Sequence, residues 1–168
     1  EKSDEILSVA NFFEKIGEVK LAEEVYVKLL EASPRFLEAG NNLAVIYINS
    51  SRLEDALKVI SKFLKYYPKS AELYANIGAI YLRMGLKEEG LLMLEKSARL
   101  NPYLRQASYM LGLAYLEKGY IEKAKRQFVK YLALDPYNIG AHRILGDIYK
   151  QKWLLKKAAA EYNEADSL

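Results

Sequence analysis

Along the 168-residue chain, apolar residues recur three and four positions apart, and turn-forming residues break the pattern at regular places. That spacing puts apolar side chains on one face of a helix, so it predicts an all-α chain of antiparallel helix pairs. In the first unit Ser3 is placed to cap a helix running to about Ile16, and Gly17 makes the turn. A second helix then carries Leu21, Ala22, Val25, Tyr26 and Leu29 inward, and Pro34 stops it. The second unit repeats this with Leu43, Ala44 and Tyr47, the turn Asn49-Ser50-Ser51, then Leu53, Ala56, Leu57, Ile60 and Phe63. Ser70 caps the third unit, and Gly85 and Gly119 make the turns of the third and fourth.

The four prolines, Pro34, Pro68, Pro102 and Pro136, lie 34 residues apart. Stepping by 34 gives Ala10, Ala44, Gly78, Gly112 and Gly146; then Phe13, Tyr47, Tyr81, Tyr115 and Tyr149; then Ala22, Ala56, Gly90, Ala124 and Ala158. The units are expected at about 3–36, 37–70, 71–104, 105–138 and 139–168, five copies forming one solenoid domain, itself part of a longer chain. The clearest copy, from Tyr103 to Pro136, holds Leu111-Gly112-Leu113-Ala114-Tyr115, Gly119, Ala124, Phe128 and Asp135-Pro136. With L-G-x2-Y, A-x3-F and P at a 34-residue period, the chain resembles the tetratricopeptide repeat family. The resemblance implies a right-handed superhelix whose first helices line a concave groove. A lone hairpin has one face to bury and cannot offset its ordering entropy, so stacking is obligatory.

Some positions depart from the pattern. Trp153 stands where the other units have Gly17, Ser51, Gly85 and Gly119, and the chain reaches Leu168 without a polar capping helix after Tyr162 and Ala165. Further repeats, or another surface, are expected to cover that end. Gly90 and Ser97 replace larger residues in the third unit, which predicts a looser helix there.

Composition adds bounds rather than a function. With 51% hydrophobic and 28% charged residues the chain reads as a globular domain, and no apolar run is long enough to span a membrane. The start Glu1-Lys2-Ser3-Asp4 lacks a signal-peptide layout, and the missing Met points to a processed chain or an excised domain. No compartment is fixed: the cytoplasm is the first expectation, and a periplasmic or membrane-associated complex the alternative. The net charge of +3 is unevenly spread, with 4 basic and 8 acidic residues in 1–34 but 6 and 3 in 103–136. Solvated helix faces account for this; the alternative is salt-sensitive head-to-tail attraction between molecules.

Catalysis has little to use. Zero cysteines exclude disulfides and thiolate metal sites, and His142, the single histidine, falls where Ile6 and Tyr74 face the core, so a packed structural role is expected. No phosphate-cradling glycine loop is present, and the sequon Asn49-Ser50-Ser51 is too short to be specific. No enzyme activity, metal or cofactor is expected.

Binding is expected on the groove face of the first helices. Offsets of four and three place there Leu7, Asn11 and Glu14; Asn41, Val45 and Ile48; Ala75, Ala79 and Leu82; Tyr109, Leu113 and Leu116; and Arg143, Asp147 and Lys150. Such a groove is apolar in the middle and polar at both ends. Asn42 and Asn76, 34 apart, run beside it, with Met110 and Ile144 continuing the row. An amide offers a donor and an acceptor to a peptide unit, and in some members of the resembled family groove asparagines hold an extended peptide; cross-linking between neighbouring helices is the alternative. The expected site is therefore Asn11, Asn41, Asn42, Val45, Asn76, Arg83, Tyr109, Met110 and Leu113.

Family members that clamp chaperone carboxylate tails use two lysines, two asparagines and an arginine. Asn11 and Asn42 fit the amide places, but Leu7, Glu72 and Asn76 occupy the cationic ones, which excludes a chaperone tail as partner. The row Asp4, Glu38 and Glu72 favours a basic partner instead. Nucleic acid is not expected, because the basic residues of the fourth unit are not interleaved with groove aromatics. The expected function is a protein-interaction scaffold that holds a partner segment in its groove. The alternatives are self-assembly through the terminal repeats, and docking of a larger enzyme or secretion machine.

Overall fold

The computed structural model describes residues 2–168 as ten α-helices. They are α1 (Lys2–Lys15), α2 (Val19–Ala32), α3 (Leu37–Asn49), α4 (Leu53–Leu64), α5 (Ala71–Arg83), α6 (Lys87–Leu100), α7 (Arg105–Glu117), α8 (Ile121–Leu134), α9 (Ile139–Gln151) and α10 (Leu155–Ser167). Each odd helix packs on the even helix that follows it, and each even helix packs on the next odd one. The first helices also touch directly, α3 on α5 and α5 on α7. This is the expected all-α, right-handed solenoid of helix hairpins.

The periodic apolar positions form a core that runs along the stack. Tyr26, Phe63 and Phe128 of the second helices are fully buried, each inside a cluster that includes residues of the next hairpin. Burying one such side chain is worth roughly 1.5–3 kcal/mol, and because it faces the next unit, much of that is interface energy between repeats. Leu21, expected inward, is instead 41% exposed, one position off the stripe formed by Ala22, Tyr26 and Leu29.

The hairpin turns fall at the expected register. Gly17, Gly85 and Gly119 have φ of +84°, +79° and +74°, while Ser51 and Trp153 adopt the same left-handed region at 59° and 58°. A side chain there costs about 1–2 kcal/mol, so the two non-glycine turns are strained. Ser70 caps α5 by accepting from the Leu73 amide (3.4 Å), as expected. Ser3, by contrast, lies within α1 and does not cap it; its hydroxyl is 3.0 Å from that of Ser33.

The third hairpin is tight rather than loose. A Cβ added at Gly78 would stand 3.1 Å from the Gly90 carbonyl oxygen, and one at Gly90 the same distance from the Gly78 carbonyl, so the paired glycines let α5 and α6 approach through their backbones. Ser97 contributes by donating to the Ala71 carbonyl at 2.7 Å in the buried interior. The small residues that promise slack in the sequence are what permits the close approach.

Candidate binding groove

The amides on the first helices form a directional row. Gln106 Nε2 of α7 donates to Asn76 Oδ1 of α5 at 3.2 Å, and Asn76 Nδ2 donates to Asn41 Oδ1 of α3 at 2.7 Å. Beside it, Asn42 Nδ2 donates to Asn11 Oδ1 of α1 at 3.1 Å. Each of these three bonds runs toward the preceding repeat, and between them they involve four hairpins.

These bonds orient the side chains and use half of most of them. Among the described residues, Asn11 Nδ2, Asn41 Nδ2, Asn42 Oδ1 and Gln106 Oε1 have no partner within the chain, and none of the four residues is buried. Asn76 differs: it is 2% exposed and bonded on both sides, so it joins the row together and does not face the groove.

Tyrosines anchor the two ends. The Tyr26 hydroxyl donates to Asn11 Oδ1 at 2.6 Å, lies 3.1 Å from Glu14 Oε2 and accepts from Asn42 Nδ2 at 3.2 Å. Burial, with Glu14 nearby, pushes this phenol up to about 12, so it stays protonated as a donor. Tyr162 and Asp147 hold the equivalent register, 136 residues on, with Tyr162 donating to Asp147 Oδ1 at 2.7 Å. The polar ends expected of the groove are therefore tied to its flanking helices.

The expected apolar middle is partly closed. Ala75 and Ala79 are 0% and 7% exposed because α5 packs directly between α3 and α7, and Leu7 is buried at the first end. Open space lies on either side of α5 instead. One cavity of about 460 Å³ is lined by Phe36, Leu37, Glu38, Asn41, Tyr67 and Glu72, among others. A second of about 520 Å³ is lined by Tyr103, Arg105, Gln106, Tyr109, Met110 and Tyr131, among others. Their linings are register equivalents two repeats apart, Asn41 matching Tyr109 and Glu38 matching Gln106.

The structure brings together Asn11 with Asn42, Asn41 with Asn76, and Tyr109 with Met110. Tyr109 is held edge-on to Phe128, with centroids 5.7 Å apart, and lies 5.0 Å from the Tyr131 ring. Val45 is half-buried and Leu113 is 39% exposed; neither lines these two cavities. Arg83 turns to the Ile48 carbonyl in the last turn of α3, a favourable place for a cation. Sequence reasoning missed Gln106 and the hydroxyls of Tyr26 and Tyr131. Tyr26 carried a usable signal, since its register holds Ile60, Leu94 and Phe128, and a buried phenol there needs a polar partner.

His142 belongs to the frame. Its Nδ1 is 2.7 Å from Glu161 Oε2 and its Nε2 is 3.0 Å from the Pro136 carbonyl, which ties α9 to α10 and to the preceding loop. Among the described residues no cluster of three or more His, Asp or Glu could hold a metal ion, and no helix is long and apolar enough to cross a membrane.

The tetratricopeptide repeat pattern matches residues 71–103 and 106–138, and a second form of it matches 42–70, together more than half of the chain. No curated protein matches significantly. Among solved structures, MamA is 26% identical over 95% of this chain and 93% of its own, with a TM-score of 0.74. PilF of Pseudomonas aeruginosa is 21% identical over 98% and 75%, with a TM-score of 0.87. TTC0263, a thermophilic TPR protein of Thermus thermophilus, is 21% identical over 97% and 89%, with a TM-score of 0.79. The last two bear on the fold alone, and that fold is one that serves as a protein–protein interaction scaffold. On its repeat pattern and its architecture together, the chain belongs to the tetratricopeptide repeat family.

Proposed function

We propose that the chain holds an extended segment of a partner protein in its concave groove, across the amide row and into the cavities on either side of α5. The observation that carries this reading is the half-used row: Asn11 and Asn41 offer donors, Asn42 and Gln106 offer acceptors, and each is already oriented by its neighbour. A peptide backbone supplies the complementary groups in every residue, and oriented partners lose little entropy on binding. Glu38 and Glu72 suit a basic side chain at one cavity, and Tyr109, Met110 and Tyr131 an apolar one at the other. Asn76, Val45, Leu113 and Arg83 support the groove through packing and backbone bonds or lie along its face.

Selection of binders from a random extended-peptide library tests this. Replacing Asn41 or Asn42 by alanine should weaken the selected peptides roughly ten-fold, the loss of one or two oriented hydrogen bonds, while Lys28→Ala on the outer face of α2 should not. Binders indifferent to both asparagines would sink the proposal. The second reading is self-assembly between copies through the terminal repeats, which the uneven charge favours, with 4 basic and 8 acidic residues in 1–34 against 6 and 3 in 103–136.

A further inference from the structure

The two openings beside α5 are one pocket built twice. The cavity at α3 is lined by Arg35, Glu38, Asn41 and Tyr67, and the cavity at α7 by Tyr103, Gln106, Tyr109 and Asp135, which stand two 34-residue steps further on. At the same register on α5 no opening forms, because Ala75 is fully buried where α5 packs between α3 and α7. The architecture repeats and the chemistry does not.

The α3 cavity suits a flat cation. Phe36, Leu37 and Tyr67 give it apolar walls, and it is also lined by Glu38 and Glu72, both exposed and both at one register of the repeat. Glu72 accepts from the Ser70 hydroxyl at 2.9 Å, and among the described residues neither carboxylate has an ion-pair partner. Arg35 does not serve them, since its guanidinium lies 4.6 Å over the Tyr66 ring. Elsewhere the chain shows what such a set of groups holds: Arg52 lies 4.1 Å over the Tyr47 ring while its Nη2 donates to Glu23 Oε1 at 2.6 Å. A guanidinium can stack on a ring and bond carboxylates through its fork, whereas an ammonium is a compact, strongly hydrated point charge. An arginine therefore fits this cavity better than a lysine.

The α7 cavity has exchanged these groups for rings. Gln106 replaces Glu38 and Tyr109 replaces Asn41, while Asp135 is already engaged, accepting from the Tyr131 hydroxyl at 2.8 Å and lying 3.9 Å from Arg105 Nη1. What remains for an occupant is Tyr109, Met110 and Tyr103, the last 76% exposed. Rings pack best edge-on or offset against other rings and against thioether sulfur, so an aromatic side chain fits here.

The spacing of the cavities follows from the stack. Helix α3 packs on α5 and α5 on α7, two steps of about 8–10 Å each, which sets the cavities about 16–20 Å apart. An extended chain advances about 3.3 Å per residue and a polyproline II chain about 3.1 Å, so about six residues cover the distance. Six also returns a side chain to the same face in both forms, whose periods are two and three.

We propose that the segment held in the groove carries an arginine and an aromatic residue six positions apart, the arginine in the α3 cavity and the aromatic ring in the α7 cavity. The proposal rests on the groove reading and names the sequence that the groove selects. Asn41 and Gln106, one at each cavity, hold the backbone that runs between the two side chains.

Selection from a random library of extended peptides on the intact 168-residue chain should recover this pair at this spacing. The affinity of a selected peptide, read by fluorescence anisotropy, should fall roughly ten-fold when its arginine becomes lysine, and again when one residue is inserted between the pair. Glu38→Gln combined with Glu72→Gln should abolish the preference for arginine over lysine and leave the aromatic requirement. Tyr103→Ala should weaken binding and leave the arginine preference. All three positions are exposed, so the variants keep the fold, which circular dichroism checks. Peptides that depend on Asn41 and Asn42 yet share no arginine and aromatic pair, or that lose nothing on the insertion, overturn this inference while the groove reading stands. Failure to select any binder, or binders indifferent to both asparagines, overturns the groove reading and this inference with it.

Discussion

Replacing Asn76 by alanine tests whether the amide row holds the array together. Asn76 is 2% exposed and bridges two repeat interfaces, giving a hydrogen bond to Asn41 and taking one from Gln106. Each bond contributes about 1 kcal/mol net, and the void left by the side chain adds about 1 kcal/mol. Alanine is the better helix former by about 0.6 kcal/mol, which offsets part of the loss. Gln106 is exposed and rehydrates freely, so no full desolvation penalty is added. The expected destabilisation is about 2 kcal/mol. Urea unfolding followed by far-ultraviolet circular dichroism reads it as a shift in midpoint. Because stability in a stack is a sum of repeat and interface terms, loosening two interior interfaces should also broaden the transition. A double-mutant cycle with Asn41→Ala should return about 1 kcal/mol of coupling. An Asn76→Ala chain within about 0.5 kcal/mol of the parent, with no coupling to Asn41, would show that the row is incidental.

Two further outcomes follow from the frame. Gly78→Ala would place a Cβ 2.6 Å from Leu94 Cγ and 3.1 Å from the Gly90 carbonyl oxygen; forcing α5 and α6 apart should cost about 1–3 kcal/mol despite better helix propensity, and a stabilised variant in the same unfolding assay would refute the close approach. His142 should make the last hairpin sensitive to pH. Burial works against its charged form, but the Glu161 hydrogen bond, the Pro136 carbonyl and the Glu161 charge outweigh it and hold the imidazole above its ordinary value of 6.5. Both ring nitrogens face acceptors, so the protonated ring satisfies them best. A raised folded-state value means the contribution is complete below pH 6.5 and is lost as pH rises through the folded-state value. The thermal midpoint should therefore fall as pH rises above 6.5 by more in the parent than in Glu161→Gln, and equal slopes would contradict the assignment.

How far the sequence reached depended on how strictly the 34-residue period governs each residue. Turns, hairpins and the buried aromatic positions follow it, because every repeat solves the same packing problem, and so they were legible at Gly17, Gly85, Phe63 and Phe128. The site was less legible because it depends on differences between repeats. Offsets alone put Ala75 and Ala79 in an open groove, but two small residues let α5 sink between its neighbours and close the floor there. Asn76 has the same sequence position as Asn42 one repeat later, yet it is buried and doubly bonded while Asn42 keeps its carbonyl uncommitted. Gly90 and Ser97 mislead for a related reason: smallness reads as slack along the chain when it serves a backbone contact and a buried hydroxyl bond.

The most direct measurement is the side-chain amide spectrum of ¹⁵N-labelled chain, recorded as a selected peptide is added. If the groove holds the peptide as proposed, the NH₂ signals of Asn11, Asn41, Asn42 and Gln106 shift together and saturate at one stoichiometry, while that of buried Asn76 moves least. Shifts confined to the side-chain amides of Gln127 in α8 and Asn163 in α10, with the four groove amides unmoved, would contradict the account.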